Sequence, residues 1–385
     1  MDIQRELLGE LNSICEEHDL KYVLGPSGTK LLYVTGNLPD NLSSMDVYMA
    51  ADDFLKFEKI VRTMDDRFVE YFLNNMDQRN FLHRYGNSKT TYINLRHLRK
   101  YNKNGIFINI GIISKPQNSR FKKHISGFLE GFWAAKNKCS NSGRVGIKHF
   151  FGSFCGCIAK IFGENTIANF IYNYRKNNFW VKSWDDISKY KYVLVNGKKV
   201  HVDIFKDLEE NRLGNLKIIT PKDKSRYLTD IYGENFENTE MKPPVKGEWI
   251  IEDTEIPYSD VIEALESEGY MQEYYENLDS QLRILAGGGK YRKVINKSWN
   301  IYLMARQWYD LKGIYGQKKE YFEKLLSNKD YLLLYNELEP FLDFNKKWSD
   351  RKVPYISIEK IDGVEKIIDN IEFRNEINKI EENRF

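Results

Sequence analysis

Apolar residues recur at helical spacing at Ile3, Leu7, Leu8, Leu11, Ile14 and Cys15, behind Asp2, a residue type that caps helix N-termini. The spacing predicts a first helix with a single apolar stripe against a core. Short apolar runs at 21–24 and 45–49 predict strands, with a small-residue turn between them at Gly25-Pro26-Ser27-Gly28. Asp52 and Asp53 then open a helix whose buried face is Phe54, Phe57, Ile60 and Val61. Three β-type runs follow at 68–72, 80–85 and 90–95, and the run 106–113 is expected to close a mixed sheet. In that run Phe107, Asn109 and Gly111 share one face, and the isoleucines at 106, 108 and 110 the other.

The pattern changes after Ile113. Between 115 and 148 eight Lys or Arg stand against a single acid, Glu130, with aromatics interleaved, and an apolar helix-like stretch continues through 149–175. This reads as a helical insertion over about 115–190. Its basic part is either a solvated face on packed helices or a surface for anionic lipid head groups or a phosphate-bearing acceptor. Asn196-Gly197 between two β-branched runs predicts a hairpin over 193–200, its second strand carrying His201 and Asp203 on one face. A strand at 216–220 and a helix at 222–232 come next, and Lys242-Pro243-Pro244 marks the exit from the first unit, residues 1–245. The remainder, 246–385, reads as an α-helical unit with helices at 258–285, 297–312, 315–345 and 357–382 and a hinge at Gly287–Gly289. The fold class is mixed α/β (α+β).

Composition narrows the function classes. Lys+Arg 58 against Asp+Glu 55 leaves a formal charge of +3, which gives no argument for nucleic acid. The four cysteines include only a Cys155-Gly156-Cys157 pair, without zinc or disulfide-scaffold spacing, and fit a reduced, cytoplasmic setting. No apolar run approaches the ~20 residues needed to cross a bilayer. Any membrane contact is expected to be peripheral, at the inner face.

Candidate chemistry concentrates in 25–49. A Gly/Ser turn can present backbone N–H groups to a phosphate, and a strand after it can project alternate side chains, here Ser44 and Asp46, onto one face. That layout is the one a nucleotidyltransferase site uses. The run Gly25 to Lys30 superficially suggests a P-loop, but its glycines are too close and Leu31 follows the lysine where a hydroxyl residue belongs.

The chain resembles the LicD/fukutin-like phosphotransferase family, whose members open with an amphipathic helix, a Gly-Gly-Thr turn, a Gly-Phe-Ile-Pro corner and a run of aspartates. The likeness rests on the helix over 7–18, the stretch 25–49, Asp52-Asp53-Phe54-Leu55-Lys56-Phe57, and then 84–93, 105–110, 221–233 and 242–244, in that order. It implies a nucleotidyltransferase-like mixed β-sheet. It also implies transfer of a phosphorylated substituent, such as phosphocholine from a CDP-activated donor, onto a cell-surface glycan or teichoic acid precursor. Mg²⁺ or Mn²⁺ would be held by an Asp-x-Asp pair and a third Asp on a neighbouring strand. Those three positions fall on Ser44, Asp46 and Asn109, so two are neutral, and the family's Arg-His before the corner is missing. Losing two preorganised charges would remove roughly 5–8 kcal/mol of transition-state stabilisation. Asp40 and Asp203 are the candidate replacement carboxylates beside Asp46 as metal ligands, and Asp46 and Asp203 the candidate catalytic pair. Ser27, Gly28, Thr29, Ser44, Arg84, Lys89 and Asn109 are the candidate substrate or nucleotide contacts. Two expectations follow: a LicD-like transferase with an atypical metal site, or a catalytically inactive LicD-like binding or scaffold protein that partners an active enzyme and needs no metal.

Overall fold

The computed structural model describes residues 3–38, 45–71, 82–95, 103–116, 124–125, 128–129, 164–213, 215–238, 250–269, 290–348 and 361–382. Its contacts divide the chain into two compact units, Met1–Glu255 and Ile256–Phe385. The division falls at 255 rather than 245 because strand Ile250–Asp253 pairs antiparallel with Thr91–Asn94 of the first unit.

The first unit opens as the apolar spacing predicts, with α1 (Ile3–Glu17) burying Leu7, Leu8, Leu11, Ile14 and Cys15. β1 (Tyr22–Leu24) leads into α2 (Pro26–Thr35), β2 (Asp46–Met49), α3 (Ala51–Val61), β3 (Arg67–Glu70), β4 (His83–Asn87), β5 (Thr91–Asn94) and β6 (Phe107–Ile112). The expected turn after β1 is shorter than the sequence suggests. Pro26 sits at the start of α2, where its missing N–H costs nothing, so Ser27, Gly28 and Thr29 belong to a helix and only Gly25 is left as the junction.

Five strands form one mixed sheet in the order β1-β2-β6-β4-β3, with β2 and β6 parallel and the other neighbours antiparallel. β6 therefore lies in the middle of the sheet rather than closing it. β5 leaves the sheet to form a separate ribbon with β11 (Ile250–Asp253). Alternation along the strands divides the sheet into two faces. Leu24, Val47, Met49, Tyr85, Ile108 and Ile110 meet the stripes of α1 and α3 in one core. Val23, Tyr48, Leu82 and Ile113 face the second layer.

That second layer comes from later in the chain. Within the expected insertion the described residues form α4 (Glu164–Asn178) and the short α5 (Trp184–Ile187). The hairpin β7 (Tyr192–Val195) and β8 (Lys198–His201) turns at Asn196 and Gly197, with φ of 51° and 72°, as the Asn-Gly signal requires. β8 ends at His201, and Val202–Phe205 is a 3-10 turn, so Asp203 does not lie on a strand. His201 instead joins the helix that follows: its backbone N and Nδ1 both lie about 3 Å from Asp230 Oδ2 (2.9 and 3.0 Å). β9 (Leu208–Leu213), whose charged sequence gave no strand signal, pairs with β10 (Leu216–Pro221) ahead of α6 (Lys224–Tyr232). Asp223 caps α6 by accepting from the Arg226 N–H at 3.0 Å.

The second unit is helical: α7 (Tyr258–Ser267), α8 (Lys290–Ser327), α9 (Tyr331–Trp348), α10 (Val364–Ile368) and α11 (Ile371–Glu382). The separate helices expected at 297–312 and 315–345 are replaced by α8 running through Gly313 and Gly316. The break comes later, at Lys329, where φ is 61°. Gly287–Gly289 lies outside the described residues. Phe322, Leu334, Leu338, Phe341 and Phe373 are buried between these helices.

Candidate functional site

The register of the main sheet lines up four polar residues across it. Asp46 on β2 stands opposite Asn109 on β6, Asn109 opposite Arg84 on β4, and Arg84 opposite Glu70 on β3. Register partners project to the same side of a sheet, so the four share the face of Tyr48, two residues along from Asp46. Three are buried, Asp46 at 6% exposed, Asn109 at 8% and Glu70 at 3%, and the Arg84 side chain is partly exposed.

Asp46 sits against the start of α2. The Gly25 N–H donates to the Asp46 carbonyl at 2.7 Å, and Ser27 Oγ donates to Asp46 Oδ1 at 2.7 Å. Burial pushes the Asp46 carboxyl up to about 6, against the Ser27 bond, which holds it down. Around it are phenols. Tyr48 packs over Gly111, where an added Cβ would meet the ring at 2.2 Å. The Tyr227 hydroxyl is buried without a hydrogen-bond partner, and the Tyr48 hydroxyl is buried beside the Asp46 carboxyl; burial and the Asp46 charge hold both far above the usual tyrosine range. Tyr232 is pushed up to about 12 by the same two causes. Lys30, 3% exposed, holds its ammonium 5.5 Å from the Tyr232 ring centroid, and burial lowers its pKa.

At the other end of the row, Arg84 lies 4.0 Å over the Phe107 ring, with Nη1 3.7 Å from Glu70 Oε2. Glu70 Oε1 accepts from the Lys103 N–H at 2.9 Å, and burial raises the Glu70 carboxyl in spite of Arg84.

Of the residues singled out in the sequence, the fold brings Ser27, Asp46 and Asn109 together and sets Arg84 beside Asn109. Gly28 and Thr29 are in the first turns of α2, where Thr29 Oγ1 donates to the Leu24 carbonyl at 3.1 Å and so serves the junction. Lys89 is exposed and paired with Asp66 at 2.5 Å. Asp203 is exposed, paired with Lys206 at 2.6 Å, and its other charged neighbours are Arg226 and His201. Asp40 and Ser44 lie outside the described residues, as do His149, Cys155 and Cys157 and most of the basic stretch 115–148. Tyr48 could have been found by alternation from Asp46. Lys30, Tyr227, Tyr232 and Glu70 carried no such signal, because only folding joins them.

The donor set tests the implied metal. A pair of Mg²⁺ or Mn²⁺ ions asks for several carboxylates converging from adjacent strands. Here Asp46 is next to an amide, one of its oxygens is engaged by Ser27, and the other acid in the row is paired to Arg84. Among the described residues no group of three or more His, Cys, Asp or Glu could hold a metal ion. These residues do not fit a two-metal site.

Fold and site together define a mixed α/β protein with a buried carboxylate at a strand-to-helix junction and a helical second unit. No family model, curated protein or solved structure matches the chain. Among the described residues no helix is long and apolar enough to cross a membrane.

Proposed function

We propose that this chain is a LicD-like binding protein, which holds a nucleotide-linked or phosphorylated glycan precursor for an active partner and has lost the two-metal transfer step. The observation that carries the reading is the cross-strand pair Asp46 and Asn109, a carboxylate beside an amide at the mouth of a β1-Gly25-α2 junction. The order strand, glycine, helix, strand, with β6 parallel to β2, supports the nucleotidyltransferase-like resemblance. The amide in place of a second acid supports binding over transfer. A carboxylate acceptor and an amide side by side suit sugar or ribose hydroxyls, which donate and accept at adjacent positions.

The test is calorimetric titration of the full chain with CDP and CDP-choline, with Mg²⁺ present or removed by chelator. Binding indifferent to the metal, with no donor hydrolysis or transfer, is the expected result. Tight Mg²⁺ or Mn²⁺ binding in the presence of CDP, with turnover lost in Asp46→Ala, would overturn it. That outcome belongs to a second reading, a transferase moving phosphocholine or a similar group at the cytosolic membrane face on an atypical metal site. The retention of Asp46 favours it. Its Asp203 component is weakened by the exposed pairing of that residue with Lys206, which leaves Asp40 as the second ligand.

A further inference from the structure

We propose that Ser27 and Asp46 form a nucleophile and general-base pair that cleaves small carboxylic esters through an acyl-serine intermediate. The inference goes beyond the binding reading and does not depend on it.

The first argument is the geometry of the pair. A serine hydroxyl is a weak nucleophile until a base within hydrogen-bond reach takes its proton and a third group fixes that base. Ser27 Oγ donates to Asp46 Oδ1 at 2.7 Å. The carboxyl is fixed in turn by Gly25, since a Cβ on that residue would meet Asp46 Cγ and both carboxyl oxygens. Exposure divides the roles. Asp46 is 6% exposed, whereas Ser27 is partly exposed between the buried Pro26 and Gly28, so the hydroxyl is the member that a substrate can reach. A carboxyl held near 6 is ionised at neutral pH yet more basic than an ordinary carboxylate, as a general base should be.

The second argument concerns the start of α2. The first N–H groups of a helix have no intrahelical acceptor. Pro26 has no N–H, and the Thr29 N–H closes onto the Gly25 carbonyl at 2.9 Å. The two N–H groups left without an intrahelical acceptor belong to Ser27 and Gly28, the nucleophile and the residue after it. Backbone donors in those places, at the positive pole of a helix, stabilise the oxyanion of a tetrahedral intermediate. An ester arrives there as a neutral carbonyl. A phosphoryl group would arrive as an anion against the Asp46 charge, so the ester is the matching class.

In the acylation step Ser27 Oγ attacks the carbonyl carbon as its proton passes to Asp46. The oxyanion then collapses, the bond from the carbonyl carbon to the alcohol oxygen breaks, and Asp46 returns the proton to the departing alcohol. Water attacks the acyl-serine next. Its proton goes to Asp46 and on to Ser27 Oγ as the carboxylic acid leaves.

The experiment is incubation of the full chain with p-nitrophenyl acetate across pH 5 to 9, with release of p-nitrophenol followed by absorbance and the acetylated residue located by peptide mass spectrometry. A burst of up to one equivalent per chain and an acetyl group on Ser27 are expected. Ser27→Ala should lose both, with its fold checked by thermal melting; if that variant does not fold, the mapped residue in the wild type decides alone. Asp46→Asn should slow the burst by about 10²–10⁴-fold. The wild-type burst rate should rise with pH and level off above about 6, and that step should vanish in Asp46→Asn. No burst, acetylation elsewhere with Ser27 unlabelled, or an unchanged rate and pH profile in Asp46→Asn overturns the pair. CDP titration of the wild type reads the binding proposal separately, so either can fail without the other.

Discussion

A methyl group placed on Gly25 would sit 2.3 Å from Asp46 Cγ, closer than any real contact. The carboxylate and the glycine therefore fit only as a pair: the side chain of β2 occupies the volume that any other residue would need at the start of α2. Gly25→Ala is expected to destabilise the first unit by about 1–3 kcal/mol, as overpacking does. In an Asp46→Ala background the same change should cost much less, because the opposing atoms are gone. Urea unfolding of the four proteins of this double-mutant cycle measures the coupling. Equal cost in both backgrounds would contradict the contact.

The Asp46 carboxyl carries a stability cost that its neighbours do not remove. Its folded pKa, about 6, lies above its ordinary value of 3.8, so the folded state takes the proton first as pH falls. The cost is fully present above about 6, is relieved as pH falls, and is gone below about 4. Two pKa units correspond to about 3 kcal/mol. Asp46→Asn is expected to raise stability at pH 8 by up to that amount and to change little at pH 4. Denaturant midpoints at the two pH values check the sign.

His83 acts in the opposite direction over an overlapping range. It is fully buried, with its ring 4.3 Å from that of Phe54 and 5.8 Å from that of Trp180, and burial lowers its pKa from 6.5 to about 3. The unfolded chain takes a proton that the folded one refuses, so stability is lost as pH falls below 6.5, by about 1.4 kcal/mol per unit. Between pH 4 and 6 this loss and the Asp46 gain offset one another. Each single variant should therefore expose the other's slope: His83→Phe gains stability on acidification over this window, and Asp46→Asn loses it. Matching slopes in the two variants would refute the assignment.

Arg84 and Glu70 form a buried pair at 3.7 Å at the far end of the polar row. Arg84→Met leaves the Glu70 carboxylate supported only by Lys103, through its N–H and its charge, and is expected to cost up to about 3 kcal/mol at pH 7. Adding Glu70→Gln removes that charge and should recover a large part of the loss. Thermal melts of the two variants distinguish a charge effect from simple lost packing over Phe107, which the second substitution would not repair.

The secondary structure of the first unit was largely written in local patterning. The stripe of α1, the short strands around Gly25 and Asp46, the alternation in β6 and the Asn196-Gly197 turn all depend on neighbours within a few residues, and each appears near its expected position. Errors arose where local pattern is silent. The charged run 208–213 becomes a strand because β10 supplies its hydrogen bonds, and Asp203 leaves its expected strand because β8 ends at His201, where the backbone and ring are held by Asp230. Gly313 and Gly316 do not break α8, since a helix packed along its length tolerates the intrinsic cost of glycine.

The sequence by itself determined that Asp46 is the acid at the start of its strand, that Asn109 shares a face with Phe107 and Gly111, and that a glycine and two small residues precede Lys30. Tertiary structure alone decided that Asp46, Asn109, Arg84 and Glu70 stand in one row, and that the phenols of Tyr227 and Tyr232 come within reach of the charge of the first of them. The reason is register and packing: which residues meet across a sheet, and which helix covers it, depends on pairing between segments far apart in the chain, and no window of local sequence contains both partners.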